Sequence, residues 1–325
     1  MKTRKPHNLT LKPRFTERMQ KLLPNKSDYQ SYLDILKILP AKSIRCNKLK
    51  ISPSKLKQKL EAKGWKIKQP WKDHPEVMVV ENDLEPGELG RALEHLLGYY
   101  YIQELASMLP IIALKPEPKE MILDLCSAPG SKTTQTASEM ENTGTIIANE
   151  VSMGRLKILA SNLERCGVTN TIITKRDGIA LCNKLKKQGI MFDRILVDAP
   201  CSGEGTLRSS PKTYLMWNPK TIKTLSRLQI RLVESAIDIL KPNGTLIYST
   251  CTHAPEENEG VVDNILNKFE GEVKLEKVKL PIKHREGLTK WKDKKYSKEL
   301  KKCARVYPQD ANTEGFFVAK FRREE

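Results

Sequence analysis

The spacing of apolar positions changes along the chain, and the change divides it in two. Between Thr16 and Leu39, the residues Met19, Leu22, Leu23, Tyr32, Leu33, Ile35, Leu36 and Leu39 fall at helical intervals, interrupted at Pro24 and stopped by Pro40. Ser43 to Ile51 alternates as a strand does, and Ser54 to Lys63 reads as a basic amphipathic helix ending at Gly64. A helix from Gln103 to Leu114 then runs into Lys115-Pro116-Glu117-Pro118-Lys119, a charged hinge punctuated by proline.

Beyond that hinge strands and helices alternate. Strands are predicted at Met121–Leu125, Thr145–Asn149, Thr171–Thr174, Asp193–Asp198 and Thr245–Thr250, with helices between them and two late strands near Val273–Val278 and Gly315–Phe321. This order predicts an α/β fold: a Rossmann-like, seven-stranded, mostly parallel sheet with helices on both faces and its ligands beyond the carboxyl ends of the strands. The reading gives two domains, a smaller α+β module over 1–115 and the larger domain over 116–325.

Composition narrows the partners. The 57 Lys and Arg outnumber 39 Asp and Glu for a net charge of +18, which favours a polyanion, nucleic acid first, although excess lysine also serves plain solubility. No apolar run follows Lys2, Arg4 and Lys5, and none elsewhere is long enough to span a bilayer, so no membrane role and a cytoplasmic location are expected. Seven scattered cysteines without a Cys-x-x-Cys pair suit a reducing compartment and suggest no metal site.

The first strand of the larger domain runs straight into Asp124-Leu125-Cys126-Ser127-Ala128-Pro129-Gly130-Ser131-Lys132-Thr133, a turn of small residues that opens a helix and lets a ligand approach the backbone. Neither a nicotinamide-binding nor a P-loop spacing is present. Glu150, ending the second strand, is placed to take two ribose hydroxyls, or else to serve as a helix N-terminal charge. Asp124, Glu150, Asp177 and Asp198 recur at successive strand ends, which suggests a nucleoside with a charged tail lying across the sheet. Arg155, on the helix after Glu150, is grouped with this site.

Two cysteines stand apart from the rest. Cys201, in Asp198-Ala199-Pro200-Cys201-Ser202-Gly203, and Cys251, in Ser249-Thr250-Cys251-Thr252, each lie in a polar loop just past a strand, where a lowered thiol pKa is useful. Cys46, Cys166, Cys182 and Cys303 read as small buried hydrophobes, and Cys126 as packing beside the ligand.

These segments resemble the Nop2/Sun family of RNA cytosine-5 methyltransferases, and archaeal-type tRNA members in particular. The resemblance runs from about Ile44 to the C-terminus and includes Arg45-Cys46-Asn47, Tyr101-Ile102-Gln103-Glu104, Arg305-Val306-Tyr307-Pro308 and Gly315-Phe316-Phe317. Glu150 and Ser131 depart from it, standing where the family often has Asp and Gly.

What the resemblance implies is an S-adenosylmethionine-dependent RNA methyltransferase, with tRNA favoured over rRNA as substrate. Cys126 to Lys132, Glu150, Arg155, Asp177 and Asp198 are then expected to bind the cofactor. Cys251 would be the nucleophile that adds to carbon 6 of the cytosine, Asp198 would hydrogen-bond the base, Cys201 would help remove the carbon 5 proton, and Lys132 would lie close to the base or nucleophile. Arg45, Asn47 and Lys48, read as part of a basic strand, are expected to contact RNA, and the protein to act as a monomer. A longer-range alternative is an RNA-binding assembly factor that has kept the fold and lost the chemistry.

Overall fold

The computed structural model describes residues 11–210, 215 and 217–325, so the basic opening at Lys2, Arg4 and Lys5 lies outside the described residues. The described residues open with two helices, α1 (Pro13–Leu22) and α2 (Lys26–Ile35). Pro13 opens the first where its missing N–H costs nothing. Asn25 caps the second, its side chain accepting from the amides of Ser27 and Asp28 at 2.9 and 3.3 Å.

A small antiparallel sheet follows, in the order β2-β3-β1-β4, from β1 (Lys42–Cys46), β2 (Ile67–Lys68), β3 (Val77–Val80) and β4 (Tyr100–Ile102). Helix α3 (Pro53–Glu61) packs Leu56 and Leu60 against Ile44, Cys46, Met78 and Tyr100 to close its core. Two single-turn helices, α4 (Glu88–Arg91) and α5 (Leu93–Leu96), lead into β4. The strand expected over Ser43 to Ile51 ends at Cys46. Asn47 leaves it and Lys48 to Lys50 form a turn, because Asn47 is drawn aside to bond the carbonyls of Gly98 and Cys166 at 2.9 and 2.8 Å.

The large sheet is built from β5 (Met121–Asp124), β6 (Thr145–Asn149), β7 (Thr171–Thr174), β8 (Phe192–Asp198) and β9 (Leu240–Thr250), all parallel, in the order β9-β8-β5-β6-β7. The later strands join antiparallel: β10 (Val273–Glu276) and β14 (Ala304–Val306) flank β15 (Phe316–Arg323), which pairs with β9, and β11 (Arg285–Glu286) extends β14. The sheet therefore has nine strands rather than seven, the two unforeseen ones being β11 and β14, too short to leave an alternating pattern. A separate hairpin, β12 (Lys290–Trp291) with β13 (Lys294–Lys295), stands off it.

Successive residues of the sheet point to opposite layers, as strand geometry requires. Leu123, Ile195, Val197, Leu246 and Tyr248 enter one core, while Ile122, Leu196 and Ile247 enter the other. Over the first lie α9 (Gly178–Lys187), α10 (Pro219–Ile237) and α11 (Glu259–Lys268). Over the second lies α6 (Leu105–Leu114), with α7 (Ser131–Glu139) and α8 (Met153–Cys166) on the flank. A last short helix, α12 (Pro308–Ala311), touches α2.

Packing crosses the expected division at residue 115 in two places. Phe15, Met19, Leu23 and Tyr32 from α1 and α2 belong to the first core together with Val197, Leu246 and Val261, and α6 roofs the second against β8, β9 and β15. The sheet of β1 to β4 with α3 to α5 keeps a core of its own, although its Val77 joins the second core.

Candidate active site

The turn after β5 is held from below and behind. Ser127 donates through its amide and its hydroxyl to the carbonyl of Asn149, both at 2.9 Å, which fastens the turn to the end of β6. Gly130 enters α7 at φ +102°, where a side chain would be strained and its Cβ would come 3.0 Å from Leu159. Asp124 lies beneath, accepting from the Thr133 hydroxyl at 2.7 Å on one oxygen while its Oδ1 has no hydrogen-bond partner among the described residues. Burial pushes its carboxyl up to about 7.

Glu150 is buried at the end of β6. It accepts the amide of Ser152 at 2.8 Å and pairs with Arg155 at 3.1 Å, and Arg155 also reaches the carbonyl of Ala128. Glu150 thus touches the amide of Ser152, the residue that precedes α8, and also stands by the turn through Arg155. Asp177 is the N-cap of α9, accepting from Ala180 at 3.0 Å. Cys126 lies within electrostatic reach of Asp124, Asp198 and Glu150, and burial pushes its thiol up, as fits a packing role.

Past β8 and β9 the chemistry converges. Lys132 is nearly buried, and its Nζ donates to Asp198 Oδ2 at 2.6 Å and to the Ser107 hydroxyl at 3.2 Å. Ser249 donates to the other oxygen of Asp198 at 2.7 Å, so that carboxylate is fixed from both sides. Phe316 lies 5.4 Å from Lys132 Nζ. Cys201 and Cys251 meet with their sulfurs 3.3 Å apart. The Cys201 thiol is pushed well above its ordinary value, first by that sulfur–sulfur hydrogen bond and then by burial, and either sulfur can be the donor in the pair. Cys251, Lys132, Asp198, Ser107 and Phe316 line one cleft of about 440 Å³, with Ile102 and Gln103 of the small sheet across from them.

The RNA-contact residues read from sequence are placed differently. Arg45 is buried: it donates to Ser131 O at 2.7 Å, to Thr134 Oγ1 at 2.9 Å and to Gln103 Oε1, and burial lowers its pKa to about 10. It clamps the small sheet to the small-residue turn at the start of α7, and Asn47, also buried, ties it to the end of α8. Neither faces solvent, which removes both from the RNA surface. Lys48 is exposed and pairs with Glu139 at 2.9 Å. Alternation alone marks Arg45 as a strand residue; nothing in the local sequence says that its partners lie 86 and 89 positions away.

Sequence reading also gave no role to Ser107, Phe316, Gln229 or Glu257, all drawn to the site from distant segments. Among the described residues no group of His, Cys, Asp and Glu is arranged to hold a metal, and no helix is long and apolar enough to cross a membrane.

A parallel sheet whose strand ends carry a small-residue turn, a buried acid and a lysine–aspartate pair is the frame of a methyltransferase domain, the class that the comparisons show. Residues 111–322 match the family described as 16S rRNA methyltransferase RsmB/F, and residues 11–105 match the N-terminal domain of 16S rRNA methyltransferase RsmF. The tRNA (cytosine(49)-C(5))-methyltransferase of Pyrococcus abyssi is 44% identical over 86% of this chain and 88% of its own. The ribosomal RNA small subunit methyltransferase F of Aliivibrio salmonicida is 38% identical over 97% of this chain, which spans 65% of that longer protein. Among solved structures, a methyltransferase homolog protein from Pyrococcus horikoshii superposes with a TM-score of 0.83 at 34% identity, covering 97% of this chain and 96% of that one. NSun6 from Pyrococcus horikoshii, solved with SFG, gives 0.81 at 26% identity over 98% and 100%. The chain belongs to the RsmB/F, or Nop2/Sun, family of RNA cytosine-5 methyltransferases.

Proposed function

We propose that this protein moves a methyl group from S-adenosylmethionine to carbon 5 of a cytosine in tRNA, through a covalent bond between Cys251 and carbon 6 of the base. The observation that carries this reading is the meeting of the Cys201 and Cys251 sulfurs at 3.3 Å, beside an aspartate held by Lys132 and Ser249.

The residues at the turn fit the cofactor. Glu150 offers a carboxylate for ribose hydroxyls, Val151 and Met153 stand exposed directly after it for a flat apolar base, and the unpartnered Oδ1 of Asp124 suits an ammonium donor. When bound, S-adenosylmethionine supplies an electrophilic methyl group.

Carbon 5 of cytosine is too weak a nucleophile to take that group unaided. The Cys251 thiolate adds to carbon 6 and pushes an electron pair toward carbon 5, while Asp198, already oriented, hydrogen-bonds the base near N3 and the exocyclic amine. Carbon 5 then carries both its hydrogen and the new methyl. Once Cys251 is bonded to carbon, the Cys201 thiol gives its proton to solvent. The Cys201 thiolate takes the proton from carbon 5, the C–H pair restores the C5–C6 double bond, and the C6–S bond breaks to return Cys251 as thiolate. One proton is released per methyl transferred, and both cysteines end as they began.

For tRNA over rRNA, support comes from the relative named for tRNA, which matches over 88% of its own length, against 65% for the one named for rRNA. The target base must be unpaired or flipped out to enter the cleft. For the RNA backbone, exposed lysines on α3 are joined by the hairpin of β12 and β13, where Lys290 stands directly opposite Lys295. Like charges so placed repel each other, and a phosphate between them relieves it. Bisulfite sequencing of total RNA from cells with and without the protein tests the proposal: a tRNA cytosine that loses protection in its absence is expected. A change confined to rRNA moves the substrate, and no change at any cytosine removes the activity.

A further inference from the structure

The peptide groups on either side of Cys201 are tied to one buried pair of side chains. The carbonyl of Pro200, before it, accepts from Gln229 Nε2 at 2.9 Å, and the amide of Ser202, after it, donates to Glu257 Oε2 at 3.0 Å. Gln229 Nε2 also donates to that same Glu257 oxygen at 2.9 Å, which closes the bracket. One residue comes from α10 and the other from the loop between β9 and α11, so two separate elements converge behind a single cysteine. Both are 0% exposed, and Gln229 Oε1 and Glu257 Oε1 have no hydrogen-bond partner among the described residues.

Such a pair is a poor way to fill space. Burying an amide and a carboxyl with one oxygen of each left over carries a desolvation penalty that apolar side chains of the same volume avoid. What apolar side chains cannot do is fix a carbonyl and an amide in place. A cysteine has one rotatable side-chain bond, so the position of its sulfur follows the backbone on either side. The bracket sets that backbone, and the Ser202 and Thr252 hydroxyls, 2.8 Å apart, link it to the loop that carries Cys251.

We infer that Gln229 and Glu257 are positioning residues for product release: they hold the Cys201 sulfur against that of Cys251, and without them the enzyme methylates its RNA but lets go of it slowly. The inference rests on the role given to Cys201 above. Neither residue is asked to touch the base, the cofactor or the transferred proton.

The test uses the full chain, S-adenosylmethionine and an unmodified tRNA transcript that the wild type methylates. Glu257→Ala and Gln229→Met are expected to keep first-turnover methylation within about threefold while steady-state turnover falls about 10- to 100-fold, the range that a misplacement of about 1 Å produces. The RNA–protein adduct on Cys251 should accumulate on denaturing gels, as is also expected of Cys201→Ala. Glu257→Gln keeps an oxygen for the Ser202 amide and should restore much of the turnover. Equal losses in first-turnover and steady-state rates, or full turnover without adduct, overturn the inference. If Cys201→Ala itself leaves no adduct, it is the role of Cys201 that falls. If Glu257→Ala does not fold, as judged by its cofactor affinity, Gln229→Met decides.

Discussion

The sulfurs of Cys201 and Cys251 lie 3.3 Å apart although the residues are 50 positions apart in the chain. Parallel pairing of β8 and β9 sets Asp198 beside Ser249, which carries the loops that follow, and their two thiols, to the same edge. Because the proposed mechanism uses Cys251 to make the bond to carbon 6 and Cys201 only to break it, the two residues should fail in different ways when removed. Cys251→Ala should bind RNA and cofactor and form no adduct. Cys201→Ala should attack, methylate and stall, leaving RNA on Cys251 that survives denaturing electrophoresis and is located by mass spectrometry. The reverse pattern would exchange the two roles, and full methylation by both variants would end the covalent mechanism.

Cofactor affinity should depend on Glu150 and Asp177. By calorimetry, Glu150→Ala is expected to bind S-adenosylmethionine about tenfold or more weakly, through loss of a charged hydrogen-bond acceptor. Asp177→Ala should weaken binding as well, and it should also cost about 1 kcal/mol of stability because Asp177 caps α9. Unchanged binding in both variants would put the cofactor elsewhere.

RNA affinity should fall linearly in log–log form with added salt, with a slope of about −0.7 for each phosphate neutralised on a single strand. Charge reversal at Lys290 and Lys295 should reduce that slope and raise KM while leaving cofactor affinity alone. Reversal at Lys55 and Lys59 tests the small module in the same way. A pair whose reversal leaves the slope unchanged lies off the RNA path.

His253 gives the pH dependence a definite sign. Burial, assisted by nearby Arg305, lowers its pKa from 6.5 to about 3, and its ring stacks on Tyr307 with centroids 5.0 Å apart. The folded state therefore holds it neutral while the unfolded chain takes up a proton below 6.5, so its contribution is whole above that pH and is lost as pH falls toward 3. Melting temperatures of wild type and His253→Phe, measured from pH 7 down to pH 4, should converge or cross on the acid side. A constant difference between them would remove His253 from the acid response.

The strands and helices of the larger sheet were legible because their signals are local. A period of two or of 3.6 and a turn of small residues depend on near neighbours, and the order of strands then brings their ends together. Turn, strand-end acids and both cysteines could be found that way. The fate of Arg45 could not, since a buried guanidinium and one exposed to RNA look alike in sequence until the partners at Gln103, Ser131 and Thr134 are in place. Nor could Glu257 be singled out from the three neighbouring acids Glu256, Glu257 and Glu259, which the structure sends to Arg18, to the Cys201 loop and to Arg305 respectively.

Two early helices are finished late. Asp28 on α2 meets Arg285 at 2.6 and 2.7 Å and Gln309 at 3.0 Å, partners 257 and 281 positions downstream, and the apolar face of α1 shares its core with β9 and α11. On a ribosome adding about 5–20 residues per second, that face waits roughly 15 to 50 seconds for its cover. During that interval Phe15, Met19 and Leu23 are a chaperone's opportunity and an aggregation hazard, so the nascent chain, more than the finished enzyme, is where substitutions in the first helix will be felt.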